Sequence, residues 1–212
     1  MKTLYVNGCS WSRDTLNNLE NIDIHDYKDT LYGTPFLWCN HLAKKLSCRL
    51  INEAKGGGSN DRIFRKTTDY LINNNLKDLF VILQFTWPER TEYLDNDGKY
   101  KYFSWEEDVE VHKYFLNTYS EKHFIKRSIH TIINLHKHLK SVGVDHLCFF
   151  APAILKEIFN QEKYITYIDK NNFILDTSFR ELQTDYIKEG DGHPGINSQY
   201  DMFELIYNRI KL

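Results

Sequence analysis

The chain has 212 residues, 42% hydrophobic and 26% charged, which suits one domain with a sizeable core. A formal net charge of −2 supplies no global basic field for nucleic acid, and no apolar run is long enough to span a membrane. Four cysteines, at 9, 39, 48 and 148, form neither a C-x-x-C pair nor a zinc knuckle, and Met1-Lys2-Thr3 leads into the first strand with no signal peptide; free thiols in a reducing, cytoplasmic setting are expected.

Leu4, Tyr5 and Val6 make a β-prone run that Gly8 ends, and Cys9-Ser10-Trp11-Ser12 suits a tight strand-to-loop turn. A parallel sheet presents reactive groups at the carboxyl ends of its strands, so Ser10 is a candidate nucleophile there; its simpler role is to cap the next helix. Leu16 to Gly33, polar and rich in Asn and Asp, reads as a surface excursion. Thr34 caps, and Pro35 opens, a helix through about Leu46, with Phe36, Leu37, Leu42 and Leu46 near helical spacing. Cys48 to Glu53 reads as a second strand. After Gly56-Gly57-Gly58, Ser59-Asn60 starts a helix carrying Ile63, Tyr70 and Leu71 on one side. Amides around Gly58 and the helix start gather positive partial charge, which favours an anion or a developing oxyanion; the simpler role is the turn alone.

Leu79 to Phe85 is a continuous apolar run, as expected of a central parallel strand buried on both faces. Polar residues follow at its end: Gln84 and Thr86 are candidate oxyanion donors, and Arg90 is a candidate for an acidic substrate group or for an ion pair with Glu89 or Glu92. Tyr93 to Tyr119 is aromatic and acidic, with a turn at Asn96-Asp97-Gly98. An insertion over about 87–116 would lie over the site or form a surface for self-association. Trp87 and Arg90 are expected to border the Ser10 pocket, and part of Tyr93 to Trp105 to close over it. Ser120 to Ser141 reads as a long helix with Ile125, Ile129, Ile132 and Leu139 buried. His130, His136 and His138 do not share a face, which predicts solvated histidines and no metal site. Val144 to Ala151 is the next strand, and Pro152 to Asp176 is irregular, with a short helix and a final short strand. In Glu189-Gly190-Asp191-Gly192-His193-Pro194-Gly195 an acid and a histidine sit in a loop bracketed by glycines and stiffened by Pro194. Asn197-Ser198 begins the last helix, with Asp201 completing a capping box and Met202, Phe203, Ile206 and Ile210 packing it down.

The blocks resemble the SGNH, or GDSL-like, hydrolases. Gly8-Cys9-Ser10 resembles the Gly-Asp-Ser block, with Cys9 for the Asp. Gly56 to Ile63 is similar to the second block, and Gly58 is its matching amide donor. Val81 to Thr86 stands where Gly-x-Asn-Asp belongs, without the asparagine. Asp191-Gly192-His193-Pro194 resembles the last block, one residue short of Asp-x-x-His. The resemblance implies a three-layer α/β/α, flavodoxin-like domain over 1–212 with a central parallel sheet. It implies ester hydrolysis by Ser10, His193 and Asp191, with an oxyanion hole drawn from Ser10, Gly58, Gln84 and Thr86. Asn60, Trp87 and Arg90 are the expected substrate-binding residues. No metal or cofactor is required, and the substrate is expected to be a small-molecule or glycan ester such as an O-acylated sugar. The alternatives are an O-acyltransferase and a glycan-binding module without turnover. A nucleotide binder on Gly56-Gly57-Gly58 lacks both the G-x-G-x-x-G spacing and the Walker lysine.

Overall fold

Leu79 to Phe85 form the strand on which the rest is built. The structure, a computed structural model, describes residues 1–12, 37–103, 120–186 and 192–211. In chain order these give β1 (Thr3–Asn7), α1 (Trp38–Lys45), β2 (Arg49–Asn52), α2 (Asn60–Asn73), β3 (Leu79–Phe85), β4 (Thr91–Leu94), β5 (Tyr100–Phe103), α3 (Glu121–Ser141), β6 (Asp145–Phe150), α4 (Ala153–Phe159), α5 (Glu162–Ile165), α6 (Phe179–Leu182) and α7 (Ile196–Lys211). The main sheet is parallel in the order β2-β1-β3-β6, with Leu4 opposite both Leu50 and Phe80, and Ile82 opposite Leu147.

Alternate residues of the central strands feed two apolar cores. Tyr5, Val81, Leu83 and Phe85 pack with Ile63 and Leu71 of α2 and with Ile129, Ile132 and Leu139 of α3. Leu4, Val6 and Ile82 face the other way, onto Trp38 and Leu42 of α1 and Met202, Phe203 and Ile206 of α7. Helices therefore cover both faces, giving the expected three layers. Truncating any of these fully buried aliphatics to Ala would cost about 2–5 kcal/mol. Among the described residues, no helix is long and apolar enough to cross a membrane.

Several element boundaries depart from the pattern-based reading. The expected final short strand reduces to one bridge, Phe173 beside Cys148, and α6 is started by a capping box between Ser178 and Glu181. The start of α7 is capped neither by Asn197-Ser198 nor by Asp201. Asp185, from the preceding loop, accepts from the amides of Asn197 at 2.9 Å and Ser198 at 2.8 Å. The histidines of α3 also differ from expectation. His130 is exposed, but His136 is 2% exposed and faces His146 of β6 at 2.8 Å between ring nitrogens. The expected excursion over 16–33 lies outside the described residues, as do the first residues of the helix expected from Thr34.

The hairpin β4–β5 forms around the predicted turn, with Asp95 Oδ1 accepting from the amides of Asp97 and Lys99. It docks on α2. Glu92 accepts two bonds from Arg65, at 2.9 and 2.7 Å, and the Arg65 guanidinium lies 3.7 Å from the centre of the Tyr100 ring.

Candidate active site

Ser10 opens a 3-10 turn, Ser10–Ser12, directly after β1. The turn is held from beneath and from both flanks. Ser12 Oγ donates to Gln84 Oε1 at 2.8 Å, and Cys9 Sγ donates to the same oxygen at 3.3 Å. Asn52 Nδ2 donates to the Ser12 carbonyl at 2.8 Å. From the far end of the chain, Gln199 Nε2 donates to the Trp11 carbonyl, while Gln199 Oε1 accepts from the Trp38 amide, both at 3.2 Å. The Trp11 ring meets Trp87 and Phe179 edge-on, with centroids 5.1 and 5.4 Å apart. Cys9, which stands where the resembling block has an acid, is fully buried.

The end of β1 is fixed by its own last side chain. Asn7 Oδ1 accepts from the Gly8 amide at 2.9 Å and from Arg62 Nη1 at 3.2 Å. The same Arg62 nitrogen donates to the Glu53 carbonyl at 2.7 Å, tying the ends of β1 and β2 to the start of α2. Ser59 caps α2 as expected, its hydroxyl accepting from the Arg62 amide at 3.1 Å.

The residues expected to form an oxyanion hole with Ser10 sit elsewhere in the arrangement. The Gly58 amide donates to the Lys55 carbonyl at 2.9 Å, closing a turn whose Lys55 amide in turn donates to the Gly8 carbonyl at 3.1 Å. Gln84 is fully buried beneath the turn, with Nε2 lacking a partner among the described residues. Thr86 is fully buried, its hydroxyl accepting from Arg90 Nη1 at 3.0 Å. Asn60, expected to touch substrate, is 2% exposed. Its amide clamps the backbone of Thr86 in both directions, accepting from the Thr86 amide at 2.8 Å and donating to the Thr86 carbonyl at 3.0 Å. Asn60 Nδ2 also donates to Ser128 Oγ at 3.1 Å. Its contribution is to fix where β3 ends.

His193 stands in a loop pinned at its base. The Gly195 amide donates to the Asp185 carbonyl, and the Thr184 and Asp185 amides donate to Ser198 Oγ. A Cβ on Gly195 would lie 2.6 Å from the Asp185 carboxyl carbon, so only glycine fits. Burial raises the Asp185 carboxyl, but bonds from the Ser198 hydroxyl and from the Ser198 and Asn197 amides outweigh it and hold the group below the usual carboxylate range. Gln183 Nε2 donates to the Gly192 carbonyl at 3.1 Å, next to His193. Asp191 lies outside the described residues.

Ser10 and His193 line one cavity of about 580 Å³, together with Trp11 and Gly192. Trp87 and Arg90 form another part of its wall, as expected, and Pro152, Ala153, Ile154 and Arg180 complete it. Arg90 is steadied by Thr86 and by the Trp87 ring, whose centre is 4.7 Å from its guanidinium carbon. None of residues 91–101 lines the cavity, so that part of the hairpin is not the cover expected over the site; the side chains at 102 and 103 and all of Ser104 and Trp105 are outside the described residues. No hydrogen bond joins Ser10 to His193 among the described residues. The cavity opens between the carboxyl ends of β1 and β3, where strand order reverses in a sheet ordered 2-1-3, the usual ligand position of flavodoxin-like sheets. Among the described residues, no group of His, Cys, Asp and Glu is arranged to hold a metal ion.

No protein-family model and no curated protein matches the sequence. Solved structures do match. TesA is 14% identical with a TM-score of 0.56, over 99% of this chain and 98% of that one. The psychrotrophic esterase EstA from Pseudoalteromonas sp., inhibited by monoethylphosphonate, is 13% identical with a TM-score of 0.54, over 100% and 97%. A member of the lipolytic protein G-D-S-L family from Veillonella parvula is 10% identical with a TM-score of 0.50, over 100% and 97%. The fold is that of the SGNH hydrolases. The SGNH fold accounts for the coverage of nearly the whole chain at such low identity, because strand order and layer packing tolerate wide substitution while the cores keep their pattern.

Proposed function

We propose that this protein is a serine esterase or acyl hydrolase of the SGNH type. Ser10 Oγ attacks an ester carbonyl, His193 takes its proton and later delivers it to the leaving alcohol, and Asp191 orients the imidazole. The observation that carries this reading is that Ser10 and His193, drawn from opposite ends of the chain, line the same cavity at the sheet's switch point. The Ser10 amide, which bonds to no other described residue, is the donor available to a developing oxyanion. Trp87 and Arg90 contact the substrate, and the Trp11 and Trp87 rings suit the face of an O-acylated sugar or a short acyl chain. An alcohol acceptor in place of water would make the same machinery an O-acyltransferase. Cytoplasmic operation with free thiols completes the proposal.

The test is labelling with a fluorophosphonate, followed by mass spectrometry of the adduct. The expected result is a single adduct on Ser10, none in Ser10→Ala, and loss of short-chain aryl ester turnover in that variant. A second reading, a glycan-binding module without turnover, is favoured by the engaged Gly58 amide and the buried Cys9. Absence of labelling together with retained oligosaccharide binding would establish it instead.

A further inference from the structure

Among the described residues, the permanent charges on the wall of the Ser10 cavity are both positive. Arg90 and Arg180 both line it, and no Asp or Glu does among the described residues. The two arginines come from different layers of the chain. Arg90 follows β3, and Arg180 lies in α6, whose backbone is tied to β6 by the Arg180 amide donating to the Ala151 carbonyl at 3.0 Å. Neither guanidinium makes an ion pair with a described carboxylate. Arg90 Nη1 donates to the Thr86 hydroxyl at 3.0 Å, and Arg180 Nη1 donates to Gln183 Oε1 at 2.6 Å. Those partners are neutral oxygens, so each bond orients a fork without neutralising it. The backbone of Arg90 is further held by Arg127 Nη2, which donates to the Arg90 carbonyl at 3.2 Å.

Two guanidinium groups that line one cavity and make no ion pair with a described carboxylate repel each other, and an anion between them removes that repulsion while accepting paired N–H bonds. We infer that the ester turned over here carries an oxyanion, a carboxylate or a phosphate, seated between Arg90 and Arg180. The ester half of this statement rests on the function proposed above; the anion half rests on the arginines. The seat also reaches the histidine loop. Gln183, which holds Arg180 through Oε1, donates through Nε2 to the Gly192 carbonyl, so an anion drawing on Arg180 steadies the residue beside His193.

Calorimetric titration of Ser10→Ala, in which esters stay intact, tests the anion directly. The probes are p-tolyl acetate as the neutral reference, 4-acetoxybenzoate and 4-acetoxyphenyl phosphate with the anion on the alcohol side, and monophenyl succinate with it on the acyl side. At least one anionic probe should bind about tenfold more tightly than p-tolyl acetate in low salt. The advantage should shrink as salt is added and fall several-fold when Arg180→Gln is introduced into Ser10→Ala. Which probe leads separates carboxylate from phosphate. Arg180 is exposed, so its substitution leaves the fold intact; Arg90→Lys keeps the charge of the second site but loses its fork, and should weaken the same probe. Equal binding of all four probes, or an advantage unchanged in both arginine variants, would overturn the inference. Failure of the esterase proposal shows separately, as absence of p-tolyl acetate turnover by the wild-type protein.

Discussion

A methyl group on Gly8 would come within 2.8 Å of Gln84 Cβ and 3.0 Å of its Oε1, the oxygen on which the Ser10 turn rests. Gly8→Ala should therefore destabilise the protein by about 1–3 kcal/mol, the usual range for overpacking, and displace the turn. Urea denaturation and fluorophosphonate labelling measure the two effects, and a variant with wild-type stability and labelling would show that Gln84 gives way freely. Asp191→Asn should lower ester turnover by about 10- to 1,000-fold, less than the loss of His193, because orienting the ring is one part of what the triad does. A kcat equal to wild type would remove Asp191 from the mechanism. At this scale the sequence made Ser10, His193, Trp87 and Arg90 visible as residues gathered around one cavity. It could not tell that Gln84 and Asn60 point inward. Both are polar residues at the end of a strand or the start of a helix, and only the packing of the Ser10 turn and of α3 around them determines that the Gln84 amide accepts from Ser12 and Cys9 while the Asn60 amide clamps the Thr86 backbone.

Helix starts and the hairpin show the same division between local and distant causes. Ser59, Ser178 and the turn at Asn96-Asp97-Gly98 act on neighbours in sequence, and a spacing such as Ser178-x-x-Glu181 was open to reading, although a helix of only four residues leaves too short an apolar pattern to mark it. Asp185 acts on a helix that begins eleven positions later in the numbering, so no local motif marks it. Asp185→Ala should cost about 1–3 kcal/mol, since it strips an N-terminal cap and leaves the Asn197 and Ser198 amides without their acceptor. It should also lower kcat, because the His193 loop closes against that carboxylate at Gly195. Thermal unfolding and aryl ester turnover measure the pair, and full activity at reduced stability would show that the loop holds its shape without the cap. The hairpin was legible as a hairpin, but its docking on α2 depends on Arg65 meeting Glu92, a contact between segments that no periodicity reports.

Across the whole molecule, the alternation of strands and helices and the apolar run of β3 were enough to indicate a covered parallel sheet, while the buried side of α3 was only partly foreseen. His136 and His146 form a directed chain there. The Asp169 amide donates to His136 Nε2 at 3.1 Å, which leaves His136 Nδ1–H to donate to His146 Nε2, and His146 Nδ1–H to donate to the Val144 carbonyl at 2.9 Å. Every position in this chain requires both rings neutral. Burial, then the neighbouring His146 ring and Lys140, pull His136 down to about 4, and burial lowers His146 as well. An unfolded histidine titrates near 6.5, so the unfolded chain binds more protons as the pH falls through that value. The contribution is thus fully present above about pH 6.5 and is lost progressively toward pH 4. Between pH 7.5 and 5.0 His136 should account for about 2 kcal/mol of lost stability, seen as a fall in the urea midpoint that flattens in His136→Phe; an equal fall in both proteins would assign it to other groups. The clamp of Gln199 on Trp11 and Trp38 has a bearing on how the protein is made. Synthesis delivers the serine turn well before the histidine loop and the helix that braces both. Under the proposed mechanism, a nascent chain carries Ser10 without its base until His193 and the helix after it have been made and docked, so an interrupted product that lacks them would be inert toward esters.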